Sequence, residues 1–205
     1  MIDSANICVK RGFLTFNSGG DNVRSSPYYS RVVHYPNRDI SGVTIGRGYD
    51  LGGRSPAEIF TDLTRAGVSK VQAKAISKGA GLRGREAAEF VRKNRVTIGE
   101  ITERQQADLF NQIYPFYERR AKIVYNMRTA HIHGRPEWVI LHPAIREVLI
   151  DIVYQGYQAR KTMLIAANNN LDEMINFIRS NSELTRDERG RNRAGYLDKC
   201  RESGE

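Results

Sequence analysis

The sequence predicts an α+β fold, mainly α, with a small antiparallel β lobe near the N-terminus packed on a larger helical body and a cleft between the two. Two observations predict it. The stretch GVTIGRGYDLGG, Gly42 to Gly53, is rich in glycine, and small or polar residues separate its Val43, Ile45 and Tyr49. That is the pattern of a short strand, a tight turn and a second strand, not of a helix. Almost everything after it shows apolar residues at helical spacing, with capping signals at the segment starts. A chain of 205 residues, 40% hydrophobic and 27% charged, is large enough to bury a core as one domain. We read residues 1–205 as that domain, with the β lobe at about 17–53 and the helical body at about 55–205 plus the N-terminal helix.

Taken in order, Asn6 to Phe16 predicts a short, imperfect helix ending near Asn17, and NSGGDNVRSS a loop. Pro27 to Pro36 (PYYSRVVHYP) is rich in Tyr and Val and bounded by prolines, which predicts a strand joining the glycine-rich hairpin. Ser55, Pro56 and Glu58 form a capping box that starts a helix stopping at Gly67. Further helices are expected over Ser69 to Lys78 and Gly84 to Lys93. Thr102 and Gln105 form a second capping box, which opens a long amphipathic pattern through Val124. Pro115 is expected to kink or divide that pattern. Pro143 starts the most apolar helix, whose Ile145, Val148, Leu149, Ile152 and Val153 should lie in the core. Helices near Arg160 to Ala167, Leu171 to Arg179 and Gly195 to Lys199 close the chain.

The net charge of +9 favours a polyanionic partner: nucleic acid, an anionic membrane surface or an anionic cell-wall polymer. The basic residues are scattered, and no RNP motif, basic zipper or zinc finger is present, so nucleic acid is the weaker expectation. The N-terminus has no long apolar run, hence neither a signal peptide nor a membrane span is expected. Cys8 and Cys200 lack metal or redox-motif spacing. They read either as two free thiols or as one disulfide tying the ends of the chain, which would require an oxidising compartment.

Several motifs carry little chemistry. Gly46, Gly48 and Gly52 miss the dinucleotide fingerprint spacing. His131 and His133 have no third ligand in view, so no metal and no cofactor is expected. Arg47, in the glycine turn, reads as a solvated charge or a ligand contact. Asp39 stands five residues before Thr44 on the loop entering the strand, so the two could face one cleft, although an Asx-turn is the more ordinary account of such an Asp.

GVTIGRGYDLG resembles the β-lobe motif of phage-type lysozymes, in particular of the pesticin-like branch found in bacteriocins and type VI secretion effectors. FLTFNSGGDN resembles that branch at the end of its first helix, ITERQQADLF the start of its long central helix, and LHPAIREVLIDIVYQG its buried helix. The resemblance implies a lysozyme-like fold and muramidase chemistry: cleavage of the β-1,4 bond between N-acetylmuramic acid and N-acetylglucosamine in peptidoglycan. In the family a Glu ending the first helix is the general acid. An Asp before the sheet and the Thr of the TIG motif place or activate water. Thr44 matches the Thr and Asp39 the Asp, while Arg47, Tyr49 and Asp50 become candidate substrate contacts. The Glu does not match: Gly19 occupies its position, and Asp21 is the nearby carboxyl that could substitute. The helix ending YQGYQA also departs from the family's Tyr-x-Gly-Asp at Tyr157. Loss of general acid catalysis alone typically costs about 10²–10⁴-fold in rate.

Two expectations follow from the resemblance. One is a peptidoglycan hydrolase domain of an antibacterial effector, working through Asp39, Thr44 and Asp21. The other is a pseudoenzyme that keeps the site for binding glycan or a protein partner. A basic nucleic-acid-binding domain is the weaker third reading. The resemblance further implies a monomer with peptidoglycan glycan strands and a cognate immunity protein as partners. It implies delivery to the periplasm of a target bacterium, as a secreted protein or a domain of a larger effector. It also makes a Cys8–Cys200 bridge geometrically reasonable.

Overall fold

The computed structural model describes residues 9–36, 41–157 and 159–204. The chain is α+β and mainly α, with ten helices and one two-stranded antiparallel sheet among the described residues. It divides into two compact units: residues 1–11 with 19–113, and residues 12–18 with 114–205.

The first unit carries the sheet. β1 (Thr44–Ile45) pairs antiparallel with β2 (Tyr49–Asp50) in the register Thr44↔Asp50 and Ile45↔Tyr49. Val43, Ile45, Tyr49 and Leu51 are buried with Ile59 and Leu63 of α2 (Pro56–Arg65), and with Ala73 and Ile76 of α3 (Lys70–Ser77). The expected strand over Pro27 to Pro36 is not formed. Its residues make only isolated bridges, Asp21↔Tyr29 and His34↔Thr44. The β-favouring side chains are there, but the segment has no long edge to pair with, since each hairpin strand is two residues long. Ser55 caps α2 and Ser69 caps α3, each side chain accepting the backbone N–H three residues on. α4 runs Gly84–Ile98.

α5 spans Glu103–Thr129, and its residues up to Ile113 belong to the first unit. The capping box is formed: the Thr102 amide donates to Gln105 Oε1 at 2.8 Å, and the Gln105 amide to Thr102 Oγ1 at 3.1 Å. Pro115 does not divide the helix.

The second unit is built on α6 (Pro143–Tyr154), buried along most of its length as its apolar run predicts. α1 is Phe13–Ser18; residues 9–12 before it are not helical, and the expected helix start, Asn6 to Cys8, lies outside the described residues. The Glu147 carboxylate of α6 accepts the Leu14 amide at 3.0 Å and the Tyr196 hydroxyl at 2.7 Å. One carboxylate thus satisfies a free N–H at the start of α1 and ties α10 to α6. α7 (Arg160–Ala166) and α8 (Leu171–Ser180) follow, then α9 (Ser182–Arg191), which the sequence did not announce, and α10 (Arg193–Ser203). α9 escapes periodicity because Leu184 is its one buried apolar side chain.

Asp151, on the buried helix, has no exposed surface. Arg193 Nε donates to its Oδ2 at 2.7 Å, and an Arg191 amino group to its Oδ1 at 2.8 Å. Arg193 is itself fully buried and also donates to Gln155 Oε1, 3.5 Å from Glu188 Oε1 on its remaining side. Asn192 sits between the two arginines in the left-handed region (φ 52°), which asparagine tolerates better than most residues, and so ends α9 and starts α10. Cys200, on α10, is a half-buried free thiol; Cys8 lies outside the described residues. No helix of the described residues is long and apolar enough to cross a membrane.

Removing one partner of a buried ion pair strands the other charge. Asp151→Ala is therefore expected to lower unfolding free energy by about 3–5 kcal/mol in urea titration, while the paired apolar replacement Asp151→Leu/Arg193→Met recovers much of that loss.

Candidate functional site

The residues singled out by the sequence lie on the first unit's hairpin and on the loop over 19–30. Asp39 falls outside the described residues. Thr44 is not aimed outward. It is buried, its hydroxyl donates to the Gly42 carbonyl at 3.2 Å, and its amide and carbonyl are both paired with His34, at 2.9 and 2.8 Å.

Asp50 binds backbone. Its Oδ1 accepts the Gly52 amide at 2.6 Å and its Oδ2 the Gly42 amide at 3.1 Å, so the carboxylate clamps both ends of the hairpin. The clamp demands glycine at position 42, where a Cβ would lie 2.4 Å from Asp50 Oδ1 and 2.5 Å from the Gly52 nitrogen. Tyr49 is buried and turned inward: its hydroxyl donates to Asp62 Oδ2 at 2.7 Å, and the Arg54 guanidinium lies 4.4 Å from its ring centroid. Burial first, and the Asp62 hydrogen bond second, raise the Tyr49 pKa well above the usual phenol value. Tyr49 and Asp50 thus hold the hairpin together.

Arg47 is buried too, 7% exposed, which corrects its reading as a solvated charge. Its guanidinium crosses to the 19–30 loop, donating to the Gly20 carbonyl and, at 3.4 Å, to Asn22 Oδ1. Burial pushes its pKa down, with Asp21 and Glu103 acting in the opposite sense. Behind it lies a buried polar cluster. The Ser30 hydroxyl donates to Gln106 Oε1 at 2.7 Å, and Gln106 Nε2 donates to Asn22 Oδ1 at 2.9 Å. Sequence reading passed over Gln106, which looks like any polar residue of an amphipathic helix. The one sequence signal for it is the resemblance of ITERQQADLF, which contains it.

Gly19 packs directly on the hairpin turn. A Cβ there would lie 3.1 Å from the Arg47 carbonyl oxygen and 3.2 Å from its carbon. Asp21, the candidate substitute acid, is committed to its own loop: its carboxylate accepts the Val23 amide at 2.9 Å and the Ser26 hydroxyl at 2.5 Å. That is an Asx-turn arrangement. The structure therefore brings Gly19, Asp21 and Arg47 to one loop, where Asp21 is engaged by Val23 and Ser26 and Arg47 by Gly20 and Asn22. Thr44, Tyr49 and Asp50 are spent on the hairpin. Among the described residues no group of three or more His, Cys, Asp or Glu side chains is placed to hold a metal ion.

The family model described as "Domain of unknown function (DUF8812)" matches residues 12–193, and the chain belongs to this family. The comparison with curated proteins finds no match. The matched stretch contains the hairpin, the 19–30 loop and all three members of the Asp151–Arg191–Arg193 cluster.

Two outcomes are expected. Asp50→Ala removes the acceptor of two backbone amides and should cost about 2–3 kcal/mol of stability by chemical denaturation. His34, the backbone partner of Thr44, has its pKa lowered by burial, with Arg95 adding to the effect and the Val32 carbonyl opposing it. The unfolded chain then binds a proton more readily than the folded one. Stability due to neutral His34 is full above about pH 6.5 and falls as pH drops from there toward the lower folded value. His34→Gln should flatten the Tm-against-pH curve in that window.

Proposed function

We propose that this protein is a lysozyme-like pseudoenzyme that holds peptidoglycan glycan strands without cleaving them. The observation that carries the reading is Gly19. The resemblance puts the general acid at this position; here there is no side chain, and the space a Cβ would enter is bounded by the Arg47 backbone. Glycoside hydrolysis needs a proton delivered to the leaving oxygen. Asp21 is engaged as an acceptor of two hydrogen bonds at its own loop, which supports binding without hydrolysis over a residual muramidase. The net charge of +9 suits an anionic wall. The proposal retains the expected setting, a bacterial periplasm reached as an antibacterial effector or part of one, with an immunity protein as second partner.

Purified protein is expected to co-sediment with insoluble peptidoglycan and to leave its turbidity unchanged. Gly19→Glu should also fail to clear it, and should melt at lower temperature, because the Arg47 backbone has to give way by a few tenths of an ångström. Clearing by the parent protein would overturn the proposal in favour of a hydrolase. Failure to sediment would overturn glycan binding altogether.

A further inference from the structure

The basic charge is far from evenly spread. Residues 69–98, covering α3 and α4, carry eight Lys and Arg against two Glu, a net +6 of the chain's +9. All eight cations are exposed: Lys70, Lys74, Lys78, Arg83, Arg85, Arg92, Lys93 and Arg95. Their placement follows from helix geometry. At about 100° per residue, Lys70, Lys74 and Lys78 fall on one arc, away from the buried Ala73 and Ile76. On α4, Arg85 and Arg92 lie within about 20° of each other, opposite the buried Ala87 and Ile98. The two acids do little to neutralise this surface: Glu89 pairs with Lys93 at 2.7 Å, leaving Glu86 against the rest.

A second, independent observation lies on the same arcs. Val96 (93% exposed) and Val71 (84%) are the most exposed large apolar side chains among the described residues. Val71 stands beside the α3 lysines, and Val96 lies about 20° from Arg85 on the side away from Arg92. Contacts to a nucleic-acid phosphate backbone draw little from aliphatic tips, and the α3–α4 segment offers Phe90, half-buried, as its one aromatic ring for stacking on bases. An anionic bilayer uses both features, cations at the headgroup phosphates and aliphatic tips in the interface.

We propose that the α3–α4 face is a docking surface for an anionic phospholipid membrane. It stands on these two helices alone and does not depend on the glycan reading. The test is vesicle co-sedimentation with the full chain, using phosphatidylcholine–phosphatidylglycerol vesicles beside phosphatidylcholine alone, with duplex DNA as a competing ligand. Binding is expected for the anionic vesicles only, and is lost near 1 M salt, where the Debye length falls to about 3 Å. Lys74→Gln/Arg85→Gln/Arg92→Gln should weaken it on the order of a hundredfold, about fivefold per cation. Val71→Ser/Val96→Ser, which keeps every charge, should weaken vesicle binding about tenfold and leave any DNA binding unchanged. Equal binding to both vesicle types would overturn the proposal, as would a triple variant that binds like the parent. Insensitivity to the valine pair together with tighter binding to DNA would make the surface a nucleic-acid site instead. Should the triple variant unfold, the valine pair decides.

Discussion

The second unit depends on one carboxylate. Asp151 projects from the most apolar helix of the chain into the buried interior, where an isolated charge could not survive. Two arginines meet it from either side of a single left-handed residue, Asn192, so the junction of α9 and α10 is fastened to α6 at one point. A buried ion pair of this kind adds little net stability over a well-packed apolar group, but each partner becomes indispensable once the other is present. Gln155 and Glu188 take up the remaining donors of Arg193. The packing of α9, the most polar helix of the unit, then makes sense: it is held at its C-terminal end by charge, with Leu184 as its buried apolar anchor.

The first unit works by a different economy. Its hairpin has two residues per strand, too little ladder to persist without support. Side chains supply what the ladder lacks. Asp50 clamps the backbone at both ends, Tyr49 reaches Asp62 on α2, and Arg47 reaches across to Gly20. Thr44, Arg47, Tyr49 and Asp50, which the resemblance offers for the site, are thus engaged in keeping the hairpin folded. Polar groups already satisfied internally have few hydrogen-bonding positions left to offer.

Much of this was legible in the sequence. Caps at Ser55 and Thr102 announce α2 and α5 because capping is a local interaction between a side chain and an amide three residues on. The apolar run from Pro143 announces a buried helix for the same local reason. The glycine-rich hairpin was equally plain. What the sequence hid is non-local. Tyr and Val over 27–36 favour a strand, yet strand formation needs a partner of matching length that the fold does not provide. Arg193 sits in the most charged run of the chain and is fully buried, because its partner lies forty-two positions away on another helix. Arg47, similarly, is buried by a loop twenty-seven residues upstream. Gln106 joins Ser30 over a separation of seventy-six.

The close packing of Gly19 on the Arg47 carbonyl also bears on how this family can change over time. A single base change suffices to write a larger residue at position 19, but the Arg47 backbone must then give way by a few tenths of an ångström. That shift is resisted, because Arg47 is tied to the very loop that Gly19 begins. Innovation at this position is therefore contingent: a substitution elsewhere that loosens the turn lowers the cost that selection sees.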